Sequence, residues 1–428
     1  MGRRALLILA VLVLVSICAL AAAIMYEPAY APIELPKQAS FDASIRARGA
    51  RVVALGDCAV CHTAQGGKPF AGGLPLLTPF GTIYATNITP DNETGIGSWS
   101  LEAFSRALRK GISRDGHQLY PAFPYIHFTR IPDQDIAAAY AYLMSRDPIH
   151  ATAPHNKLIF PLNFRPLVAF WNLLFLKDER FTSDPRQSPE WNRGKLLVDG
   201  LGHCAACHSP LNLIGGEKTG HAFDGGLIDG WDAYPLNQLA HADIPWTKDQ
   251  LVTYLRTGVA SEHGGAAGPM LPVTRDLATV PEEDVQAIAQ YILSIQKPGS
   301  SNDTTATVAG NDNHNARNIS PGTVMFAAAC ASCHGEGSPM QSIGNRPALS
   351  VSTAVNAKTP RNMIQMMLGG ISWHQAERVN YMPAFEGSLT ETQMADIVAY
   401  VRATYSKKPA WAQPEKMVSD ISKENAQR

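Results

Sequence analysis

The sequence predicts a mainly helical chain of three tandem repeats behind one N-terminal transmembrane helix, on three observations. One pentapeptide pattern occurs three times, as CAVCH from Cys58 to His62, CAACH from Cys204 to His208 and CASCH from Cys330 to His334. After each copy the same order of elements returns: a helical stretch ending in glycine, a loop, and a closing amphipathic helix. Ahead of all three stand 21 uncharged residues, Ala5 to Met25.

The N-terminal stretch comes first. A signal-peptide core runs to about 7–15 residues, whereas a membrane-spanning helix needs roughly 20. The length favours an anchor. An Ala29-Tyr30-Ala31 triplet offers a cleavage site, although Pro32 follows it at once, so residues 1–31 read as a membrane anchor or signal. Arg3 and Arg4 precede the apolar run and stay inside, so the remainder is exported.

The pentapeptides carry the chemistry. Six of the seven cysteines belong to them, and the seventh, Cys18, lies in the apolar run. C-x-x-C-H is the attachment signature of c-type haem. Its two thiols add across the vinyl groups of one porphyrin, and the adjoining imidazole binds iron from below. A zinc site would need further Cys or His pairs at ligand spacing. A disulfide framework would need cysteines left over for cross-chain pairing. Neither explains a His after each pair, so three covalent haems are expected. Cys58 and Cys61, Cys204 and Cys207, and Cys330 and Cys333 would hold them, with His62, His208 and His334 on iron. Charge is balanced at 36 Lys+Arg against 37 Asp+Glu, and no basic run suggests nucleic acid.

The repeats fall into register on their glycines. Helical stretches end at Gly111, Gly258 and Gly370, and twelve residues beyond each stand Phe123, Met270 and Met382. The closing helices contain IAAAYAYLM, VQAIAQYILS and ADIVAYVRATY, with apolar residues at helical spacing. Thr247 with Gln250 and Thr390 with Gln393 make capping-box pairs. The repeats are bounded at 41–150, 191–298 and 321–406, with a polar tail over 407–428. Residues 299–320 are too polar to pack and read as a flexible tether. The first junction, 151–190, differs: it holds LIFPLNFRPLVAFWNLLFLK, which from Pro166 onward reads as a short helix apolar nearly all round. Such a helix either packs between repeats or lies on the membrane, with Trp171 at the interface.

A haem pentapeptide early, a loop methionine late and a helix last resemble the class I cytochrome c fold, so the repeats read as three tandem class I cytochrome c domains. The resemblance implies Met270, in GPMLPV, and Met382, in YMPAF, as sixth ligands. From about Arg48 to Tyr405 the chain resembles the tri-haem cytochrome c subunits of bacterial membrane-bound dehydrogenases. The motifs that carry this are ATNITPDNETGIGSW, LYPAFPY, EWNRGKLLVDGLGHCAACHSPLN and HGGAAGPM. The resemblance implies a partner catalytic subunit that oxidises an alcohol or aldehyde, and ubiquinone or a terminal oxidase as acceptor. Many members carry methionine where this chain has Phe123. The phenylalanine version, followed by HF, resembles the branch that serves molybdenum-pterin hydroxylases with iron–sulfur subunits, with quinoprotein or flavoprotein partners as the alternative.

Phenylalanine has no lone pair to give. His117 has near-counterparts in His263 and His374, which marks it as a packing or hydrogen-bonding residue. His127 has none, since Thr274 and Glu386 occupy its place, so His127 is the candidate sixth ligand opposite His62. Met144 reads as core. Two functional classes follow: an electron-transfer subunit with no substrate chemistry of its own, or a multi-haem enzyme such as a peroxidase with an open first haem. No nucleophile elbow, P-loop, dinucleotide fingerprint or HExxH motif supports the second.

Overall fold

The computed structural model describes residues 2–37, 40–298, 320–339, 347–375 and 378–427. The expected tether, apart from Ser320, lies outside the described residues. The chain forms two compact units, one of Met1–Asp184 with Asp199–His203, the other of Pro185–Val198 with Cys204–Arg428. The second unit therefore contains two of the three sequence repeats.

In the first unit, α1 (Arg3–Met25) includes 20 residues, Leu6–Met25, long and apolar enough to cross a membrane. Next, α2 (Ala43–Leu55) crosses α5 (Asp133–Met144) at a glycine. A Cβ on Gly49 would stand 2.0 Å from the Ala138 carbonyl oxygen and 2.6 Å from Tyr142 Cβ, so only glycine lets the two backbones approach this closely. Arg48 and Asp135 pair at 2.7 Å beside the crossing. Between these helices lie the hairpin of β1 (Pro75–Thr78) and β2 (Gly81–Tyr84), then α3 (Leu101–Lys110) and the single turn α4 (Tyr125–Phe128). A short strand β3 (Lys157–Leu158) extends the hairpin on the β2 side. Met144 is fully buried in α5, as core.

The junction folds in part as the sequence predicts. After a turn at Arg165–Leu167, α6 (Val168–Phe175) buries Val168 and Ala169 and receives the Tyr125 hydroxyl on Asn172 Oδ1 at 2.7 Å. Its other face leaves Leu173 and Leu174 exposed, with Phe160 and Phe164 exposed in the preceding loop. This helix also touches α1.

The second unit repeats the crossing twice. In its first half, α7 (Pro189–Leu196) meets α10 (Glu282–Ser294), where a Cβ on Gly194 would lie 2.0 Å from the Ala287 carbonyl oxygen and 2.7 Å from Tyr291 Cβ. Arg193 pairs with the buried Asp284 at 2.8 Å, as Arg48 does with Asp135. Between them come the hairpin β4 (Gly226–Ile228) and β5 (Trp231–Ala233), α8 (Lys248–Thr257), the two-residue strands β6 (Val259–Ala260) and β7 (Gly264–Gly265), and α9 (Met270–Thr279). In its second half, α11 (Pro321–Ala329) meets α13 (Glu391–Tyr405), where a Cβ on Gly322 would lie 2.3 Å from the Asp396 carbonyl oxygen and 2.8 Å from Tyr400 Cβ. Here α12 (Arg361–Gly369) leads into the hairpin β8 (Ile371–Gln375) and β9 (Arg378–Met382).

Both predicted capping boxes are present, at Thr247 and Thr390. The glycines that end α3, α8 and α12 have φ of 64°, 71° and 69°, a left-handed backbone that a Cβ penalises. The polar tail expected over 407–428 is corrected. Residues Pro414–Ala426 form a helix, α14, whose Val418 and Ile421 are fully buried among Phe326, Ile397 and Val401. Arg361 holds Glu424 at 2.7 Å. Two apolar residues three positions apart make a stripe that suffices once a ready-made core faces it.

Candidate haem-binding sites

Each pentapeptide sits on one short helical turn: Cys58–Cys61, Ala205–His208 and Ala331–His334. Cysteines three apart on a helix share a face, so both thiols of a pair point the same way. All six are partly buried. Burial, and then the neighbouring Cys333, push the Cys330 thiol up to about 11, which keeps it protonated.

The histidines after the first two pairs are held alike. His62 Nδ1 lies 2.6 Å from the Thr86 carbonyl oxygen, and His208 Nδ1 lies 2.7 Å from that of Tyr234. A carbonyl only accepts, so the proton is on Nδ1 and the lone pair on Nε2. Burial holds both imidazoles below their ordinary range, partly opposed by the carbonyl bond. The neutral, Nδ1-protonated ring is the form a metal takes, and the second bond fixes its orientation.

The sequence builds this arrangement by a device that the repeat register did not reveal. FAGG, from Phe70, and FDGG, from Phe223, each follow a pentapeptide. Both phenylalanines have φ of 62°, and their N–H groups donate to Thr63 Oγ1 at 3.2 Å and Ser209 Oγ at 3.0 Å. Two residues on, Gly72 and Gly225 donate to the carbonyls of His62 and His208 at 2.8 and 2.9 Å. A hairpin then returns the chain, β1–β2 to Thr86 and β4–β5 to Tyr234. An aromatic residue at positive φ is an uncommon conformation, kept here by bonds on both sides.

On the opposite side the repeats diverge. Ile112 bridges Gln118, and Val259 pairs with Gly265, so the residues one and seven past the helix-ending glycine face each other in the first two repeats. In the third, Ile371 pairs instead with Met382, the last residue of β9. Met382 is partly buried against the core around Ile364 and Ile397. Met270 opens α9 and is partly buried, preceded by Gly268 at φ 52°, where a Cβ would strike the Trp231 ring at 2.3 Å.

Phe123 packs on Tyr125 and Phe128, with ring centroids 6.1 and 5.6 Å apart. His127, on α4, is buried, with Nδ1 3.2 Å from the Asp199 carbonyl oxygen. His117 pairs with Asp115 at 2.8 Å. Of its near-counterparts, His263 stacks on Trp246 at 3.6 Å and His374 is exposed. A residue that the sequence reading missed, His203, sits 5.5 Å from the Phe128 ring and is pushed down to about 4, by burial first and then by nearby His127.

Residues 46–147 match the family model for cytochrome c, and residues 317–401 that for cytochrome c oxidase, cbb3-type, subunit III. The chain is 34% identical to the fructose dehydrogenase cytochrome subunit of Gluconobacter japonicus, covering 88% of this chain and 82% of that protein. It is likewise 34% identical to the gluconate 2-dehydrogenase cytochrome c subunit of Pantoea cypripedii, covering 84% and 85%. The chain belongs to the cytochrome c subunits of dehydrogenases. This cytochrome is also 48% identical to a nicotinate dehydrogenase subunit of Pseudomonas putida over 92% of its own length, yet spans only 33% of that protein.

The residues of the cytochrome fit covalent haem. Each site offers two thiols on one helical face, and in the first two the imidazole carries its lone pair on Nε2. Bound haem would supply reversible one-electron exchange at iron.

Proposed function

We propose that the chain is a tri-haem electron-transfer subunit that takes electrons from a catalytic dehydrogenase subunit and hands them to ubiquinone or a terminal oxidase. The observation that carries this is the repeated proximal geometry, in which a hairpin returns a carbonyl to the histidine of a CxxCH turn. A histidine so tethered is oriented for a metal. Cys58, Cys61 and His62 would hold one haem, Cys204, Cys207 and His208 a second, and Cys330, Cys333 and His334 a third.

Met270 and Met382 are the sixth ligands of the second and third sites, and His127 of the first. For His127 the support is its Nδ1 bond to a backbone carbonyl, the same arrangement as at His62 and His208. The three glycine crossings support a reading as three domains, 41–150, 191–298 and 321–406, with α14 added to the third.

The catalytic partner is a molybdenum-pterin hydroxylase with an iron–sulfur subunit, acting on an aldehyde or an N-heterocycle. Two features support this choice: the Phe123 stretch, and the likeness to a protein named as part of a nicotinate dehydrogenase. The domains face the periplasm, with α1 in the inner membrane. The exposed Phe160, Phe164, Leu173 and Leu174 lie in and beside a helix that touches α1, which suits a patch lying on the same bilayer. Co-purification from membranes tests the partner: the companion subunit should carry molybdenum. Pyrroloquinoline quinone or flavin in its place would overturn that assignment.

A further inference from the structure

The third repeat touches the second at the two places from which the second repeat's axial ligands are held. On the proximal side the relevant residue is Asp232 in β5, two positions before Tyr234, whose carbonyl takes His208 Nδ1. Asp232 N–H donates to Asn362 Oδ1 at 2.8 Å, and its carbonyl accepts from Asn362 Nδ2 at 2.8 Å. One side chain from α12 thus satisfies both outward backbone groups on the open edge of the hairpin. Thr359 Oγ1 donates to the Asp232 carboxylate at 2.5 Å, and Gln365 Nε2 to the Gly230 carbonyl at 3.0 Å.

The first repeat shows that this is a designated position. There the residue two before the acceptor carbonyl is Tyr84, and its N–H donates to Asn156 Oδ1 at 2.9 Å. An asparagine amide holds the same strand position in both repeats. In the first it comes from the repeat's own following chain, beside β3; in the second it comes from the next repeat.

On the opposite side, β8 and β9 reach the end of α8 and the middle of α9, the helix that Met270 opens. Asn380 Nδ2 donates to the Thr257 carbonyl at 3.0 Å, and the Arg275 guanidinium donates to the Ser372 carbonyl. Trp373 is fully buried, and its Nε1 would lie 3.3 Å from a Cβ at Gly258. Gly258 is the residue from which the loop departs.

We propose that the third repeat is a brace for the second haem, with Asn362 the positioning residue on the proximal side and Trp373 on the methionine side. The proposal rests on the reading that His208 and Met270 bind that iron. A carbonyl bond on Nδ1 raises the basicity of a ligating imidazole, which favours the ferric state, whereas thioether ligation favours the ferrous state. The two positioning residues therefore act with opposite sign.

The test is a spectroelectrochemical redox titration of the detergent-solubilised full chain. Met270→Leu identifies the second haem's step and Met382→Leu the third's. Asn362→Ala should raise the midpoint of the step that Met270→Leu alters, because the Tyr234 carbonyl is no longer held to His208. Trp373→Ala should lower that same midpoint and weaken the near-infrared methionine-to-iron band. Trp373→Phe, which keeps a buried ring, should do so to a smaller extent. An unmoved third step shows that the mutated repeat is folded. A second step unmoved by both residues, or shifts confined to the third step, would overturn the brace while leaving the ligands in place. A Met270→Leu variant that alters no step would overturn the ligand reading and the brace with it.

Discussion

At the level of single residues, function turns on where each imidazole keeps its proton. His62 and His208 both give Nδ1–H to a carbonyl at 2.6 and 2.7 Å, which leaves the lone pair on Nε2, the atom that the proposed function places on iron. Replacing Met270 or Met382 with leucine should open one haem each and lower its potential, since the thioether that favours the ferrous form is gone. An unchanged low-spin spectrum and titration in either variant would contradict the assignment. His127→Ala should convert one haem of three to high spin; a variant whose spectrum matches the wild type would remove His127 from the ligand set. The pentapeptides were legible in the sequence because covalent attachment demands contiguous residues. The FAGG and FDGG loops were not, because Phe70 stands eight residues after His62 and Phe223 fifteen after His208, so no fixed spacing marks them.

Among the elements, the three helix crossings share a glycine on one helix and, on the other, a carbonyl with a tyrosine four residues later. Gly194→Ala would push a Cβ into the Ala287 carbonyl, and overpacking of this kind costs typically about 1–3 kcal/mol. Thermal unfolding followed by circular dichroism measures it, and an unshifted midpoint would deny the close approach. The closing helices and both capping boxes were legible, since each is a local pattern. The crossings were not, because Gly49, Gly194 and Gly322 precede their first cysteine by nine, ten and eight residues. The common offset of twelve to Phe123, Met270 and Met382 also hides a difference of structure, since only in the third repeat is that residue paired in a hairpin with the residue next to the glycine. The FDGG loop carries a pH dependence of its own. Lys297, then Asn237, hold the Asp224 carboxyl down to about 2, from an ordinary 3.8. Its folded value is depressed, so its contribution is present above the ordinary range and lost as pH falls from about 4 towards 2. Lys297→Met should therefore move the midpoint of acid unfolding to higher pH, and an unmoved midpoint would show that the pair contributes nothing.

Across the whole molecule, α14 shows how context overrides composition. Residues 407–428 read as a polar tail, yet Val418 and Ile421 are fully buried. Ile421→Ala should cost about 2–5 kcal/mol, as truncation in a packed core does, and a neutral result would return the helix to the surface. Membrane association has two proposed sources. A chain without residues 1–31 should still partition in part to lipid vesicles through Phe160, Phe164, Leu173 and Leu174, and complete solubility would make that junction structural only. The proposed function requires three haems, each with both axial positions filled, which exchange electrons and perform no substrate chemistry. Electron paramagnetic resonance of the oxidised full chain, with signals integrated against iron content, puts this requirement to the test. The expected result is low-spin ferric iron amounting to three per chain and no high-spin signal. A high-spin signal from one iron in three would contradict it and point to an open, reactive first haem.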